Sequence, residues 1–349
     1  MKIFPFFMLF FFFANCQKST KPVERPTFSQ KGLYYFITSD STKVGVQDES
    51  GKIIIPAKFG AFYNYDFENP ISDLVIEFMG TDHISKLPKS SPITIAGEVY
   101  DRTGKFLYYP LWFDNGIDYY EEGFRRYVEG DKVGFVNKLG QKIIPAQWDF
   151  VSPFSYGYTE VFVGGWEKEY EKGGEHWSIV PSSEKSERYF INRKGERVEP
   201  YSKPKHPKDY HHAENEYYPY PFQYNDFEQK MIDSLENLDI LNDLNIASCD
   251  NCTPKSAWKL NFEIIEKPLP NHPYYILQGY ERQGKNLGDD TFAITEDGKT
   301  IYHQSYFGEL TPLKKWIVEE LEKFKDYFQE NPDKLNRFDV DEKLREWKK

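Results

Sequence analysis

The sequence predicts a mainly β protein: an array of short antiparallel strand repeats followed by a small α+β domain. Three observations lead there: an aromatic share of 18%, a motif that recurs in the first half, and a change of pattern near residue 205. The chain has 29 Phe and 26 Tyr, and bulky planar side chains suit half-buried pleated surfaces. At 349 residues it is long enough for two domains. A 28% charged share excludes a polytopic membrane protein, and the aromatic share argues against wholesale disorder.

The first residues read as an export signal. Lys2 precedes the apolar run Ile3 to Ala14, too short to cross a bilayer but suited to a signal-peptide core. The run ends at Ala14-Asn15-Cys16, which looks like the site at which bacterial lipoproteins are cleaved and lipidated. An ordinary secretory signal is the alternative. With three cysteines, spending Cys16 on lipid leaves Cys249 and Cys252 as a pair. Residues 1–16 are thus the signal and 17–30 a polar tether.

Residues 31–205 carry the repeat. Residues 43–56 read Lys-Val-Gly-Val-Gln-Asp-Glu-Ser-Gly-Lys-Ile-Ile-Ile-Pro, and 132–145 read Lys-Val-Gly-Phe-Val-Asn-Lys-Leu-Gly-Gln-Lys-Ile-Ile-Pro. Gly45, Gly51 and Pro56 therefore keep the spacing of Gly134, Gly140 and Pro145. Two weaker copies fit the frame: Gly97, Gly104 and Pro110, stretched by one residue in each interval, and Gly195 with Pro200 behind Tyr189. Within a unit, Val44 to Gln47 is a strand and Gly51 supplies the φ > 0 position of a three-residue hairpin loop. Lys52 to Ile55 returns, and Pro56 ends the strand because it cannot donate to a ladder. A third strand follows, with Leu74, Ile76 and Phe78 alternating in one copy and Thr159, Val161 and Val163 in another. That strand is expected to pair with the first strand of the next unit, and stacked units complete the core.

This order of strand, Gly, turn, Gly, apolar strand, Pro and aromatic resembles the WG-repeat family over about residues 31–205. The Trp-Gly pair stands here as Val44-Gly45 and Val133-Gly134. The resemblance implies a binding or scaffolding role at the bacterial surface or in the periplasm, and it brings no catalytic residues.

The second half reads differently. Residues 206–225, with the Tyr/Pro-rich run Tyr217 to Phe222, read as a linker. In residues 226–349, Phe227, Met231, Leu235 and Leu238 share a helix face. Trp258, Leu260, Phe262 and Ile264 alternate as a strand, and Tyr275 with Leu277 suggests another. Asp297-Gly298 sits between two strand-like runs as a hairpin turn. Thr311-Pro312 opens a helix with a hydroxyl cap, and a last short helix spans about Asp341 to Trp347. Helix, sheet, then helix suggests an α+β domain.

Chemistry is sparse. Cys249-Asp250-Asn251-Cys252 reads as a structural disulfide in an oxidising setting, since a redox pair would need a strand before it and a helix from its first cysteine. His211-His212 with Glu214 and Glu216 point in different directions on any regular element, so no metal site is expected. No nucleotide-binding or nucleophile motif is present, and no cofactor is expected. The net charge of −11 and the lack of a basic tract argue against nucleic acid. Trp112, Phe113, Tyr119, Tyr120, Trp148, Phe154, Tyr156 and Trp166 are the candidate binding aromatics, most of them also expected in the repeat core. The expected function is a lipid-anchored, non-catalytic binder of a protein or glycan in the cell envelope. The alternative is an envelope hydrolase with its site in the C-terminal domain. A toxin or immunity partner using the repeats only as a carrier is a third possibility.

Overall fold

The computed structural model describes residues 32–80, 93–113, 116–174, 176–247, 260–280, 286–305, 308–331 and 338–349. The repeats are four three-stranded antiparallel units. Strands β1 (Leu33–Ile37), β2 (Lys43–Asp48) and β3 (Ile53–Gly60) make the first, and β4 (Ile76–Met79), β5 (Gly97–Tyr100) and β6 (Phe106–Pro110) the second. A short hairpin follows, β7 (Trp112–Phe113) with β8 (Gly116–Ile117). The third unit is β9 (Phe124–Glu129), β10 (Lys132–Asn137) and β11 (Lys142–Trp148). After β12 (Phe150–Val151), strand β13 (Tyr158–Val163) pairs across an inserted hairpin, β14 (Trp166–Tyr170) with β15 (Trp177–Pro181). Its partner is β16 (Glu187–Asn192), and β17 (Arg197–Val198) completes the fourth unit. The strand that closes one repeat thus pairs with the first strand of the next hairpin, as the pattern predicts. Pairing of β6 with β9 joins two units into one six-stranded sheet.

One turn is built four times. In Asp48, Asp101, Asn137 and Asn192 the side-chain Oδ1 accepts the backbone N–H groups two and four residues on. The glycine three residues on (Gly51, Gly104, Gly140 and Gly195) has φ of 81°, 86°, 73° and 80° and donates its N–H to the same residue's carbonyl. Local side-chain bonding of this kind fixes a hairpin loop through partners within four residues. The turn also corrects the frame of the second copy. Counted from Asp101, that copy is not stretched: Glu98 and Tyr109 occupy the places of Gly45 and Pro56, and Gly97 and Pro110 lie one residue outside them.

The first glycine of the strong copies makes room for a bulge. Across β2 and β3 the register moves from Val44↔Phe59 to Val46↔Ile55, so extra residues around Pro56 and Ala57 face Gly45. A Cβ at Gly134 would lie 2.5 Å from both the Ala146 nitrogen and the Ile144 oxygen. Only glycine admits that approach. The turns themselves pack on the preceding unit: a Cβ at Gly104 would sit 2.7 Å from the Ile54 oxygen, and one at Gly140 2.4 Å from Leu107. Gly51, in the first unit, has open space around it. Its turn, Glu49-Ser50-Gly51, is exposed and polar among the described residues.

Residues 206–225, expected as a linker, instead fold onto the array. Strands β18 (Tyr210–Ala213) and β19 (Glu216–Tyr218) form a hairpin, and Tyr201 exchanges backbone hydrogen bonds with Tyr217. Tyr218 packs with Tyr158 and Phe190, because so aromatic a segment lowers its free energy by burial. Helices α1 (Asp226–Glu236) and α2 (Asp239–Ala247) follow. The C-terminal sheet runs in sequence order through β20 (Asn261–Glu266), β21 (Tyr274–Tyr280), β22 (Asn286–Thr295), β23 (Ile301–Gln304) and β24 (Leu310–Pro312). Helices α3 (Leu313–Glu330) and α4 (Val340–Trp347) complete the chain. Thr311 does not cap α3: it pairs with His303 in the sheet, and the helix starts behind Pro312 without a side-chain cap.

Both faces of this sheet are covered. Phe262, Ile264, Leu277, Phe292 and Ile294 pack under the helices with Met231, Ile317 and Leu321. On the other face Ile265, Ile276, Tyr280 and Ala293 pack against Tyr156 of the fourth unit's loop and Phe222. The two halves of the chain therefore share a core. Among the described residues no helix is long and apolar enough to cross a membrane.

Candidate binding surface and the seam between the two halves

The structure divides the eight candidate aromatics. Trp148, Phe154 and Tyr156 are buried. Trp148 Nε1 donates to the Tyr189 hydroxyl at 3.0 Å, and Phe154 lies 4.6 Å from Phe124 and 4.7 Å from Phe135, ring to ring. Tyr156 donates to the Lys208 carbonyl oxygen at 2.9 Å. Tyr120 lies under the Arg125 guanidinium, 4.0 Å from its ring centre. These rings are core, where large side chains fill the space between stacked units. Tyr119 is 57% exposed, and Trp112, Phe113 and Trp166 are half-buried.

Phe113 and Trp166 belong to a shelf that sequence reasoning did not find whole. The β14–β15 hairpin pairs Trp166 with Pro181, Lys168 with Ile179 and Tyr170 with Trp177, placing all six on one face. At its base Trp166 packs 4.6 Å from Phe150 and donates Nε1–H to the Asp149 oxygen at 3.1 Å. Further out, Trp177 meets Phe113 edge-on at 5.8 Å, and Lys168 Nζ lies 3.8 Å above the Trp177 ring. Tyr170 at the tip is exposed. Beneath the shelf, Arg126 is only 1% exposed, between the rings of Phe113 and Phe150. Asp118 receives its Nε–H at 2.9 Å and also bonds its Nη2. The buried arginine, its carboxylate and the rings of Phe113 and Phe150 lie together. Gly173-Gly174 was the turn signal that could have revealed this hairpin.

A second polar assembly joins the repeats to the C-terminal domain. Glu122 is 5% exposed, and its carboxylate accepts from Gly157 N at 2.9 Å, Arg193 Nη1 at 2.9 Å and the Tyr280 hydroxyl at 3.0 Å. Arg193 also donates to the Ile265 carbonyl at 3.0 Å. One carboxylate thus touches the third, fourth and C-terminal parts of the chain. Nearby Glu263 is fully buried, bonded by the hydroxyls of Tyr220 at 2.6 Å and Tyr224 at 2.7 Å and by Lys208 Nζ at 3.2 Å. Burial raises the Glu263 carboxyl above its ordinary value, with Lys208 opposing. At the edge of the seam, Lys138 Nζ and Glu266 form a 2.7 Å ion pair.

The two histidines lie against different rings. His211 stacks on Tyr217 at 4.6 Å, and His212 packs against Phe190 at 4.7 Å. Among the described residues no three His, Cys, Asp or Glu side chains converge as metal ligands would. Cys16, Cys249 and Cys252 lie outside the described residues.

Residues 45–70 and 134–165 match the family model of the WG containing repeat. No curated protein and no solved structure matches the chain. The two matched segments are the first and third units, in which glycine stands at positions 45 and 134. The second and fourth units share the turn but carry Glu98 and Tyr189 at that place, so their kinship is visible in the backbone. The chain carries WG-type β-repeats, and its fold is mainly antiparallel β.

Proposed function

We propose that this protein is a non-catalytic binding or scaffold protein of the cell envelope, held by a lipid on Cys16. Its partner, a protein or a glycan, meets the shelf formed by Phe113, Tyr170 and Trp177. The observation that carries this reading is an array of WG-type repeats from which an inserted hairpin projects an aromatic face. Solvent-accessible rings on rigid backbone lose little conformational entropy when they bind, which suits them to recognition.

The hydrolase reading would draw on Glu263 as its acid or base. That carboxylate already receives three donors and lies fully buried, an arrangement suited to holding structure. The binding reading is tested with the full mature chain and its Tyr170→Ser, Trp177→Ser double variant. Each is used to capture envelope components, and each captured partner is then purified and titrated directly. Loss of at least tenfold in affinity for the double variant supports the shelf. Equal affinity moves the binding site elsewhere, and turnover of an envelope glycan or peptide would replace binding by catalysis.

A further inference from the structure

We infer that the outer edge of β15 takes an extended polypeptide segment as a third strand of the β14–β15 hairpin. This rests on the shelf being a binding surface, and it narrows the partner to a protein chain. The ladder fixes which backbone groups point outward. Glu171 donates its N–H to the His176 carbonyl at 2.9 Å, and Ser182 donates to the Gly165 carbonyl at 3.4 Å. Counting inward from both ends, Glu169↔Ser178 and Glu167↔Val180 are the hydrogen-bonded pairs, and Tyr170↔Trp177 and Lys168↔Ile179 alternate with them. Residues of the second kind aim their N–H and C=O away from the partner strand. Among the described residues, these groups of Trp177 and Ile179 have no hydrogen-bond partner, and the sheet has only two strands.

The two edges of the hairpin differ. Strand β14 carries Glu167, Lys168 and Glu169, and charges along an edge discourage pairing. Strand β15 runs Trp177-Ser178-Ile179-Val180-Pro181 without a charge, and its aromatic and β-branched residues suit a ladder. Pro181 has no N–H to offer, so the added strand is a short one centred on Trp177 to Ile179.

Alternation specifies the side chains of the segment. On the shelf face they meet Trp177 and Ile179; on the reverse face they meet Ser178 and Val180, with Glu167 and Glu169 one strand further. Both glutamates are exposed, and among the described residues neither has an ion-pair partner. The added strand would lie about 10 Å from β14, a gap that a lysine or arginine side chain narrows. A segment alternating apolar with basic side chains therefore matches both faces. A glycan lacks the evenly spaced N–H and C=O groups that such an edge pairs with. A second copy of the chain would bring another net charge of −11 towards the same acidic face.

The probe is a capped peptide of about seven residues alternating Lys and Val, long enough to span the edge. It is titrated into the full chain and followed by amide hydrogen exchange. At saturation the Trp177 and Ile179 amides should gain about tenfold or more in protection, while those of Lys168 and Tyr170 stay unchanged. Methylating the peptide amides that face β15 keeps its charge and side chains, and should weaken binding about tenfold or more. Ile179→Pro, which removes an outward N–H and spares the ladder with β14, should do the same, whereas Ile179→Ala keeps most of the affinity. Equal affinity for the methylated peptide, protection on β14 instead, or no binding overturns strand addition. Should Ile179→Pro fail to fold, the methylated peptide decides. The captured envelope partner separates this failure from that of the shelf. Affinity lost in the Tyr170→Ser, Trp177→Ser chain but kept in Ile179→Pro leaves a shelf that binds in another way, a glycan included. Affinity kept in both removes the shelf itself. A dimer of the chain that Ile179→Pro abolishes would make a second copy the occupant and overturn the choice of a foreign segment.

Discussion

Tyr280, on the C-terminal sheet, donates its hydroxyl to Glu122, in a loop of the repeat array, at 3.0 Å. Both residues are buried, and the same carboxylate is held by Arg193 and by Gly157. Tyr280→Phe removes one donor and should cost about 1–2 kcal/mol, read as a shift of the urea midpoint. Glu122→Ala strips three donors of their acceptor and should cost roughly 3 kcal/mol. Values near zero for both would mean that the two halves are held by apolar contact alone.

A chain ending at Tyr201 should not behave as an independent repeat domain. It would uncover Tyr156, Tyr158 and Phe190, now covered by Phe222, Tyr218 and the C-terminal sheet. Binding of a hydrophobic dye and a broadened thermal transition are the expected signs. A soluble, cooperatively melting fragment would show that the seam is dispensable.

The two kinds of repeat glycine should respond differently to alanine. Gly51→Ala meets open space but keeps φ near 81°, a backbone cost of about 1–2 kcal/mol. Gly134→Ala puts a Cβ 2.5 Å from backbone atoms of β11 that cannot swing away, so it should cost more, roughly 3 kcal/mol. Denaturant unfolding of the two variants side by side checks the order. The reverse order would sink the bulge argument.

Glu263 should give the protein an acid-side gain in stability. Its carboxyl is raised from 4.5 by burial, so the folded state holds the proton more tightly than the unfolded chain does. That contribution is fully present below 4.5 and is lost as the pH rises through the raised folded value. Urea midpoints of the parent chain should therefore decline across this window relative to those of Glu263→Gln. Parallel profiles would show that Lys208 and the two tyrosines fully offset burial.

Much of the fold was legible because its signals are local. Asp48 to Gly51 and Asn137 to Gly140 carry the side chain and the glycine that their turn needs, so spacing alone located the hairpins. Strand alternation in Phe262 and Ile264 and the Asp297-Gly298 turn were visible for the same reason. The second copy reads one residue off its true frame because its anchor is Asp101, whereas the neighbouring Gly97 and Pro110 imitate the expected residues. Residues 206–225 read as a linker because prolines and tyrosines mark an extended chain in isolation, and only a facing surface turns those tyrosines into core.

The candidate surface was less legible. Trp148, Phe154 and Tyr156 differ from Trp177 and Tyr170 in what lies across from them, and composition carries no information about that. The sequence by itself determined the repeat, its turns and the α+β character of the second half, because hydrogen bonds to near neighbours and residue periodicity decide them. Only the tertiary structure decided that Glu122 joins three parts of the chain, that the C-terminal sheet is covered on both faces, and which of the candidate rings stay exposed. Those outcomes depend on contacts between residues far apart in sequence, whose energies exist only once the intervening chain has folded.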